Sequence, residues 1–125
     1  MKLNILKSKI HHGVITQADI DYDGSLSVDA DLMKACNMKP FEKVLVANLV
    51  NGNRLETYLI EGPAGSGVIC ANGAAALLFS VGDAVIVMSF CQLDEDEVDG
   101  FEPSIIRLSK TFENKIIGRG IKKAF

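Results

Sequence analysis

The dipeptide Gly24-Ser25 is the first candidate for chemistry, because a hydroxyl directly follows a glycine carbonyl. An intramolecular N→O acyl shift needs this order, in which Ser25 Oγ attacks the Gly24 carbonyl. Glycine also permits the strained backbone that brings the two groups together. Elimination from the resulting ester gives dehydroalanine, and hydrolysis then leaves a ketone, a pyruvoyl group, at the new N-terminus. The alternative interpretation is an ordinary Gly-Ser turn between two strands.

A second candidate is the run Asn72-Gly73-Ala74-Ala75-Ala76, in which Asn72 is predicted to cap a short helix. Small residues let a ligand approach the backbone, and the first N–H groups of a helix have no internal partners. A carboxylate or another oxyanion can dock at such a helix start. The alternative is that the small residues serve packing alone.

Arg54 and Tyr58 lie four residues apart on one face of a predicted strand. At ~3.3 Å per residue their Cα atoms are about 13 Å apart, so both side chains can lean toward one ligand without touching. The planar guanidinium of Arg54 suits a carboxylate. A solvated strand face is the alternative, and Lys9, His11 and His12 are equally compatible with a surface role.

The sequence lacks the residues that several other common kinds of site require. The His pair has no carboxylate or cysteine partners at metal-ligand spacing, and the acidic run 94–99 lacks the glycine and terminal glutamate of an EF-hand. A metal site is therefore not expected. The sequence has no G-x-S-x-G, P-loop or G-x-G-x-x-G motif, which removes support for a hydrolase triad, an NTPase and a Rossmann dehydrogenase.

The composition predicts one globular domain. The chain has 125 residues, of which 48% are hydrophobic and 23% charged. A net charge of −3, no tryptophan and only two tyrosines argue against nucleic-acid binding. No apolar run is long enough for a membrane span, and no signal peptide is visible. The three widely spaced cysteines, Cys36, Cys70 and Cys91, predict no disulfide framework and a reducing, cytoplasmic location.

Short strands dominate the predicted elements. Asp29 is an expected N-cap of a short helix that ends near Asn37, and Asn51-Gly52 predicts a hairpin turn. Nothing is predicted for the tail beyond Lys110. Many short strands with frequent turns indicate a small β-barrel with helical insertions. The predicted strands are residues 14–16, 26–28, 44–50, 54–60, 68–70, 84–93 and 105–108, with a second helix at 73–79.

Taken in order, several segments resemble the pyruvoyl-dependent aspartate 1-decarboxylase family. The resemblance runs from about residue 6 to about residue 104. It is carried by KSKIH (residues 7–11), YDGS (22–25), NGNRLETY (51–58), NGAAA (72–76) and VGD (81–83).

The resemblance implies a double-psi β-barrel that assembles as a homotetramer with active sites between subunits. It implies self-cleavage at Gly24-Ser25 into a β chain of residues 1–24 and an α chain of residues 25–125. The covalent pyruvoyl group derived from Ser25 would be the cofactor, with no metal and no pyridoxal phosphate. Its ketone would bind the amine of L-aspartate and accept electrons as CO2 leaves, giving β-alanine for pantothenate and coenzyme A. The need for a maturation factor stays open.

The resemblance also assigns roles to single residues. Tyr58 matches the proton donor, and Ser25 is both the processing residue and the origin of the catalytic group. Arg54 and Lys9 match positive groups of the site, and our hypothesis is that they hold the surviving side-chain carboxylate. Thr57 matches a residue used in self-cleavage and substrate contact, and it is expected to polarise the Gly24 carbonyl.

The remaining matches line the site. Gly73, Ala74 and Ala75 match backbone contacts to substrate, while Asn72, His11 and Tyr22 match lining positions. His12 departs from the family, which often has arginine there, so the role of a cation at this position is open. A different class of function also remains, namely a non-catalytic β-barrel that binds a ligand or a partner. Cleavage at Gly24-Ser25 separates the two hypotheses, because a binding module has no reason to break.

Overall fold

Strands account for most of the secondary structure in a computed structural model, which describes residues 1–121. One α-helix and two short 3₁₀ helices, Gly73–Leu77 and Glu95–Glu97, join them. No helix within the described residues is long and apolar enough to cross a membrane. The strands and the α-helix are β1 (Lys2–Val14), β2 (Gln17–Asp19), β3 (Ser25–Asp29), α1 (Ala30–Ala35), β4 (Lys43–Asn48), β5 (Arg54–Gly62), β6 (Ile69–Asn72), β7 (Ala84–Asp94), β8 (Ser104–Leu108) and β9 (Ile116–Arg119).

All nine strands belong to one sheet, in the order β2-β6-β3-β5-β4-β7-β1-β8-β9. The long strand β1 lies between β7, which is antiparallel to it, and β8, which is parallel. Strand β3 lies between parallel β5 and antiparallel β6. Because β1 continues into β2, which pairs with β6, the sheet closes on itself. The Thr16 N–H donates to the Ile69 carbonyl at 2.9 Å at this closure.

The core fills the inside of this closed sheet. Its largest fully buried side chains come from several strands and from the segment after the 3₁₀ helix, among them Ile10, Leu26, Leu59, Phe79 and Ile106. Burial of such side chains contributes about 1.5–3 kcal/mol each. The mainly β architecture with short helices confirms the predicted double-psi β-barrel class.

Helix α1 begins as predicted. Asp29 is its N-cap, and its carboxylate accepts the Asp31 N–H at 2.8 Å. The same carboxylate accepts the N–H groups of Gly65 at 3.0 Å and Gly67 at 2.8 Å. Asp29 therefore fixes both the start of α1 and the loop before β6.

Several predicted boundaries were wrong. The prediction missed most of β1 and began a strand only at residue 14, because bulges at Lys7 and His12 break the alternation of buried and exposed positions. It also ended the sheet at residue 108, whereas β9 follows on an exposed edge. Asn51-Gly52 is part of a longer connection, residues 49–53, since β4 ends at Asn48 and β5 begins at Arg54.

Candidate active site

Ser25 begins β3, where it lies opposite Asn72 at the end of β6. Its side chain is fully buried. The Ser25 hydroxyl donates to the Asp23 carbonyl at 3.1 Å, and Asn72 Nδ2 donates to Ser25 Oγ at 3.0 Å. The hydroxyl after Gly24 is thus held by two hydrogen bonds, one on its proton and one on its oxygen.

Asn72 stands at the N-cap position of the helix that follows it, as predicted, but the expected side-chain cap is absent. Its side chain makes no capping hydrogen bond, and the helix is a short 3₁₀ turn. Its Nδ2 instead donates to Ser25 Oγ and, at 2.8 Å, to Ser27 Oγ, while Oδ1 accepts from Cys70 Sγ at 3.1 Å. The Asn72 side chain is therefore engaged by partners on the paired strands β3 and β6.

Gly73 packs directly on the backbone before Ser25. Its φ is +63°, and a Cβ at this position would lie 2.7 Å from Gly24 Cα and 2.9 Å from the Tyr22 carbonyl oxygen. Only glycine fits this approach and this backbone conformation. Of the next two residues, Ala74 is exposed and Ala75 is buried in the core.

The β3–β5 register places Ser25 and Tyr58 directly before the first paired residues of the two strands. Leu26 pairs with Leu59 in parallel, so Ser25 and Tyr58 each precede a paired residue, and Gly24 and Thr57 come one position earlier. Because side chains alternate along a strand, those of Ser25 and Tyr58 leave the sheet on the same side, opposite the core pair. No hydrogen bond joins either Thr57 or Tyr58 to this bond among residues 1–121.

Tyr58 is 37% exposed and lines a shallow cleft with Lys43, Glu56 and Thr57. Its ring centroid lies 6.4 Å from that of Phe41. The Phe41 N–H donates to the Leu59 carbonyl at 2.8 Å, so the α1–β4 loop pairs with β5 beside Tyr58. The loop therefore packs next to the Tyr58 ring.

A partly buried ion pair holds that loop. Lys7 Nζ lies 2.8 Å from Glu42 Oε2 and 2.6 Å from the Asn37 carbonyl oxygen. Burial acts to raise the pKa of Glu42, but the hydrogen bonds from Lys7 and from the Lys39 N–H outweigh it and leave the pKa below its usual value. The bulge at Lys7 thus ties β1 to the loop that flanks Tyr58.

Arg54 lies on the exposed face of β5 that also carries Tyr58, as predicted from the alternation. Lys9 and His11 lie on β1, which is separated from β5 by β7 and β4. His11 follows Arg54 across the sheet through the pairs His11–Ile86, Ile86–Ala47 and Ala47–Arg54. Three strand spacings place them about 14 Å apart along the sheet. Within one chain, two strands therefore lie between Arg54 and the β1 residues Lys9 and His11.

The two histidines lie in a basic surrounding. Burial lowers the pKa of His11, and the charges of Lys9, His12, Arg107 and Lys110 lower it further. Burial likewise lowers the pKa of His12, with Lys110 and Arg107 adding to the effect. The two rings have centroids 4.9 Å apart, because the bulge turns both toward the same side. Both imidazoles are therefore mostly neutral at pH 7.

Two residues of the Ser25 environment were missed from the sequence, namely Ser27 and Cys70. The available sign was their spacing, two residues after Ser25 and two before Asn72 on strands, which puts all four side chains on one face. No three His, Cys, Asp or Glu side chains of residues 1–121 gather as a metal site.

Comparison with known proteins adds an independent finding. The family model described as aspartate decarboxylase matches residues 1–116. A protein of Myxococcus xanthus named aspartate 1-decarboxylase is 47% identical over 117 residues, which cover 94% of this chain and 88% of the relative. Proteins of the same name from Chlorobium phaeovibrioides and Syntrophobacter fumaroxidans are 48% and 43% identical, over 88% and 98% of this chain and 86% and 97% of the relatives.

Proposed function

We propose that this chain, which belongs to the aspartate decarboxylase family, removes the 1-carboxylate of L-aspartate and releases β-alanine and CO2. The observation that carries the proposal is the family match over residues 1–116, which includes the held hydroxyl of Ser25. The β-alanine formed would serve the synthesis of pantothenate and coenzyme A. We place this reaction in the cytoplasm.

The active form would arise by self-cleavage. A bond forms between Ser25 Oγ and the Gly24 carbonyl carbon, the C–N bond to Ser25 breaks, and the Ser25 nitrogen takes up the hydroxyl proton. Loss of the Ser25 Cα proton then expels the Gly24 carboxylate and leaves dehydroalanine. One water converts that group to a ketone and releases ammonia. The products are the chains 1–24 and 25–125; the last four residues of the second chain lie outside the described residues.

The residues around the bond support this chemistry. The backbone of Gly73 approaches Gly24 so closely that an added Cβ would lie 2.7 Å from Gly24 Cα. Asn72 donates to the same oxygen. Thr57 lies on β5 two residues before Leu59, the first β5 residue paired with β3, and its hydroxyl would polarise the Gly24 carbonyl during attack. Proximity and fixed orientation of this kind contribute several kcal/mol to a barrier.

The pyruvoyl group derived from Ser25 supplies an electron sink for decarboxylation. Ser25 lies on the same side of the sheet as Tyr58, so a group formed there fits the arrangement of the described residues. Tyr58 would donate a proton to the carbon from which CO2 has left. Arg54 and Lys9 would hold the side-chain carboxylate that survives, which leaves the α-carboxylate in a less solvated place.

Substrate contacts would come from Asn72 and from the backbone of Gly73, Ala74 and Ala75. Tyr22 and His11 would line the same site. Because β1 is separated from β5 within one chain, Lys9 and His11 of one copy would complete the site of another. We therefore propose an assembly with sites between subunits, a homotetramer as the family resemblance implies. No metal or pyridoxal phosphate takes part in the proposed reaction.

The test is the mass of the purified protein before and after maturation. We expect two fragments, residues 1–24 and residues 25–125, with the larger one blocked at its N-terminus and reactive toward borohydride or hydrazine. Release of CO2 from L-aspartate should rise in proportion to the trapped ketone. A chain that stays intact while it consumes aspartate would refute the proposed cofactor, and an intact chain without activity would support a binding module.

A Gly73→Ala substitution should block maturation. The added methyl would be strained at φ +63° and would also push on Gly24 and Tyr22. We expect a stability loss of about 1–2 kcal/mol from the backbone conformation and at least a tenfold slower cleavage from the collision. Intact mass against time measures the cleavage, and thermal melting measures the stability.

Gly52→Ala is the matched control, because Gly52 has φ +78° but nothing within 4 Å of an added Cβ. It should lose similar stability and still cleave at the normal rate. Equal cleavage in the two variants would show that the close approach of Gly73 is irrelevant to processing.

A further inference from the structure

The Asn72 side chain contacts three side chains on the same face of the β3–β6 pair, namely those of Ser25, Ser27 and Cys70. Ser27 and Cys70 are directly paired across the two strands. Asn72 Nδ2 donates to Ser25 Oγ at 3.0 Å and to Ser27 Oγ at 2.8 Å, and Cys70 Sγ lies 3.1 Å from Oδ1. All four residues are buried or partly buried. The amide is therefore held on both of its ends.

The orientation of this amide decides whether Ser25 Oγ faces an N–H donor or the amide oxygen of Asn72. A serine hydroxyl can donate or accept, so Ser27 does not determine whether the nitrogen or the oxygen of Asn72 faces it, whereas Ser25, which donates its proton to the Asp23 carbonyl, already favours the nitrogen. A thiol is a weak donor and a poorer acceptor, so Cys70 favours the orientation that turns Oδ1 toward Sγ. Cys70 thus directs the NH2 group toward Ser25.

The Cys70 thiol is protonated at neutral pH and can therefore donate to Asn72 Oδ1. Burial raises the pKa of Cys70, and the negative charge of Asp19 raises it further. Cys70 is 7% exposed, so water does not readily replace it as the partner of Oδ1. At neutral pH the contact is therefore an S–H···O hydrogen bond from Cys70 to Asn72.

We propose that Cys70 is a positioning residue for self-cleavage, because it fixes the Asn72 amide with its N–H toward Ser25 Oγ. This inference rests on the proposed self-cleavage. When Ser25 Oγ gives up its proton, the N–H from Asn72 stabilises the alkoxide and so favours the attacking form, and the charge then passes to the Gly24 carbonyl oxygen as the new bond forms. A reversed amide would present Oδ1 to the alkoxide and would also compete with the Asp23 carbonyl for the Ser25 proton.

The experiment follows cleavage of the full chain from its uncut form in three variants and the wild type. Cys70→Ala removes the donor, and Cys70→Ser replaces the thiol with another donor. Cys36→Ala is the matched control, because it removes a buried thiol whose hydrogen bonds go to the Leu32 and Met33 carbonyls in the core. Each chain is incubated well below its melting transition, and the rate constant comes from intact mass against time.

We expect Cys70→Ala to cleave about five- to tenfold more slowly, the size of effect that one hydrogen bond of modest strength produces. Cys70→Ser should recover only part of the wild-type rate, because its hydroxyl can donate to Oδ1 but can also accept from a reversed amide. Cys36→Ala should melt earlier, through lost packing, and cleave at the wild-type rate.

Three results would overturn the inference while leaving the proposed function in place. These are wild-type cleavage in Cys70→Ala, a rate in Cys70→Ser as slow as that in Cys70→Ala, or an equal slowing in Cys36→Ala. A wild-type chain that never cleaves would instead reject the proposed self-cleavage together with the inference. The two failures are therefore distinguishable by the wild-type chain alone.

Discussion

Replacing Ser25 by alanine should leave a single chain of 125 residues with no decarboxylase activity. The hydroxyl is the nucleophile of the proposed acyl shift and the source of the ketone, so no other group can substitute for it. The backbone pairing of residue 25 with Asn72 does not need the hydroxyl, and we expect Ser25→Ala to fold. Intact mass, CO2 release from aspartate and circular dichroism together measure the three expectations.

Ser27→Ala is the comparison for this experiment, because it also removes a hydroxyl bonded to Asn72 but leaves the nucleophile in place. It should still cleave and become active. Full activity in Ser25→Ala would reject the pyruvoyl mechanism, whereas loss of cleavage in both variants would show that the hydrogen-bonded network, and not the nucleophile, had been tested.

Replacing Tyr58 by phenylalanine should separate maturation from turnover. Phenylalanine keeps the ring beside Phe41 and removes only the phenol that would donate the proton. We expect normal cleavage and a decrease in kcat of about 10²- to 10⁴-fold, the range of general-acid contributions. The measurement is kcat per trapped ketone, so that incomplete processing does not enter the result.

Tyr22→Phe, at the other tyrosine of the chain, serves as the control. Its side chain is more exposed than that of Tyr58, and its removal of a hydroxyl should lower kcat far less. Failure of Tyr58→Phe to mature would mean that the phenol acts in cleavage, and an unchanged kcat would exclude it as the proton donor.

The sequence predicted correctly those features that depend on residues close together in the chain. The Asp29 cap and the two faces of β5 were correct because capping and alternation depend on neighbouring residues. Most of β1 was missed because two bulges shift the side chains between faces. No local pattern indicates such a shift, since it depends on how β7 pairs with β1.

The site shows the same division between local and distant causes. Gly24-Ser25 and the Asn72-Gly73 pair were identified as separate candidates, and the β3–β6 pairing brings them together across 47 positions. The true partners of Asn72 could not be predicted, because they depend on that pairing. The close approach of Gly73 to Gly24 likewise joins residues far apart in the chain, so no local pattern indicates it.

The position of β1 between β7 and β8 has a consequence for the matured protein. Residues 1–24 include β1. The proposed cut after Gly24 would therefore not release this fragment, because hydrogen bonds to β7 and β8 hold both edges of β1. Unfolding then separates two molecules, and refolding requires them to meet again. The melting temperature of the cut form should therefore depend on protein concentration, and its unfolding should be poorly reversible. A cut copy that unfolds would seldom regain its fold.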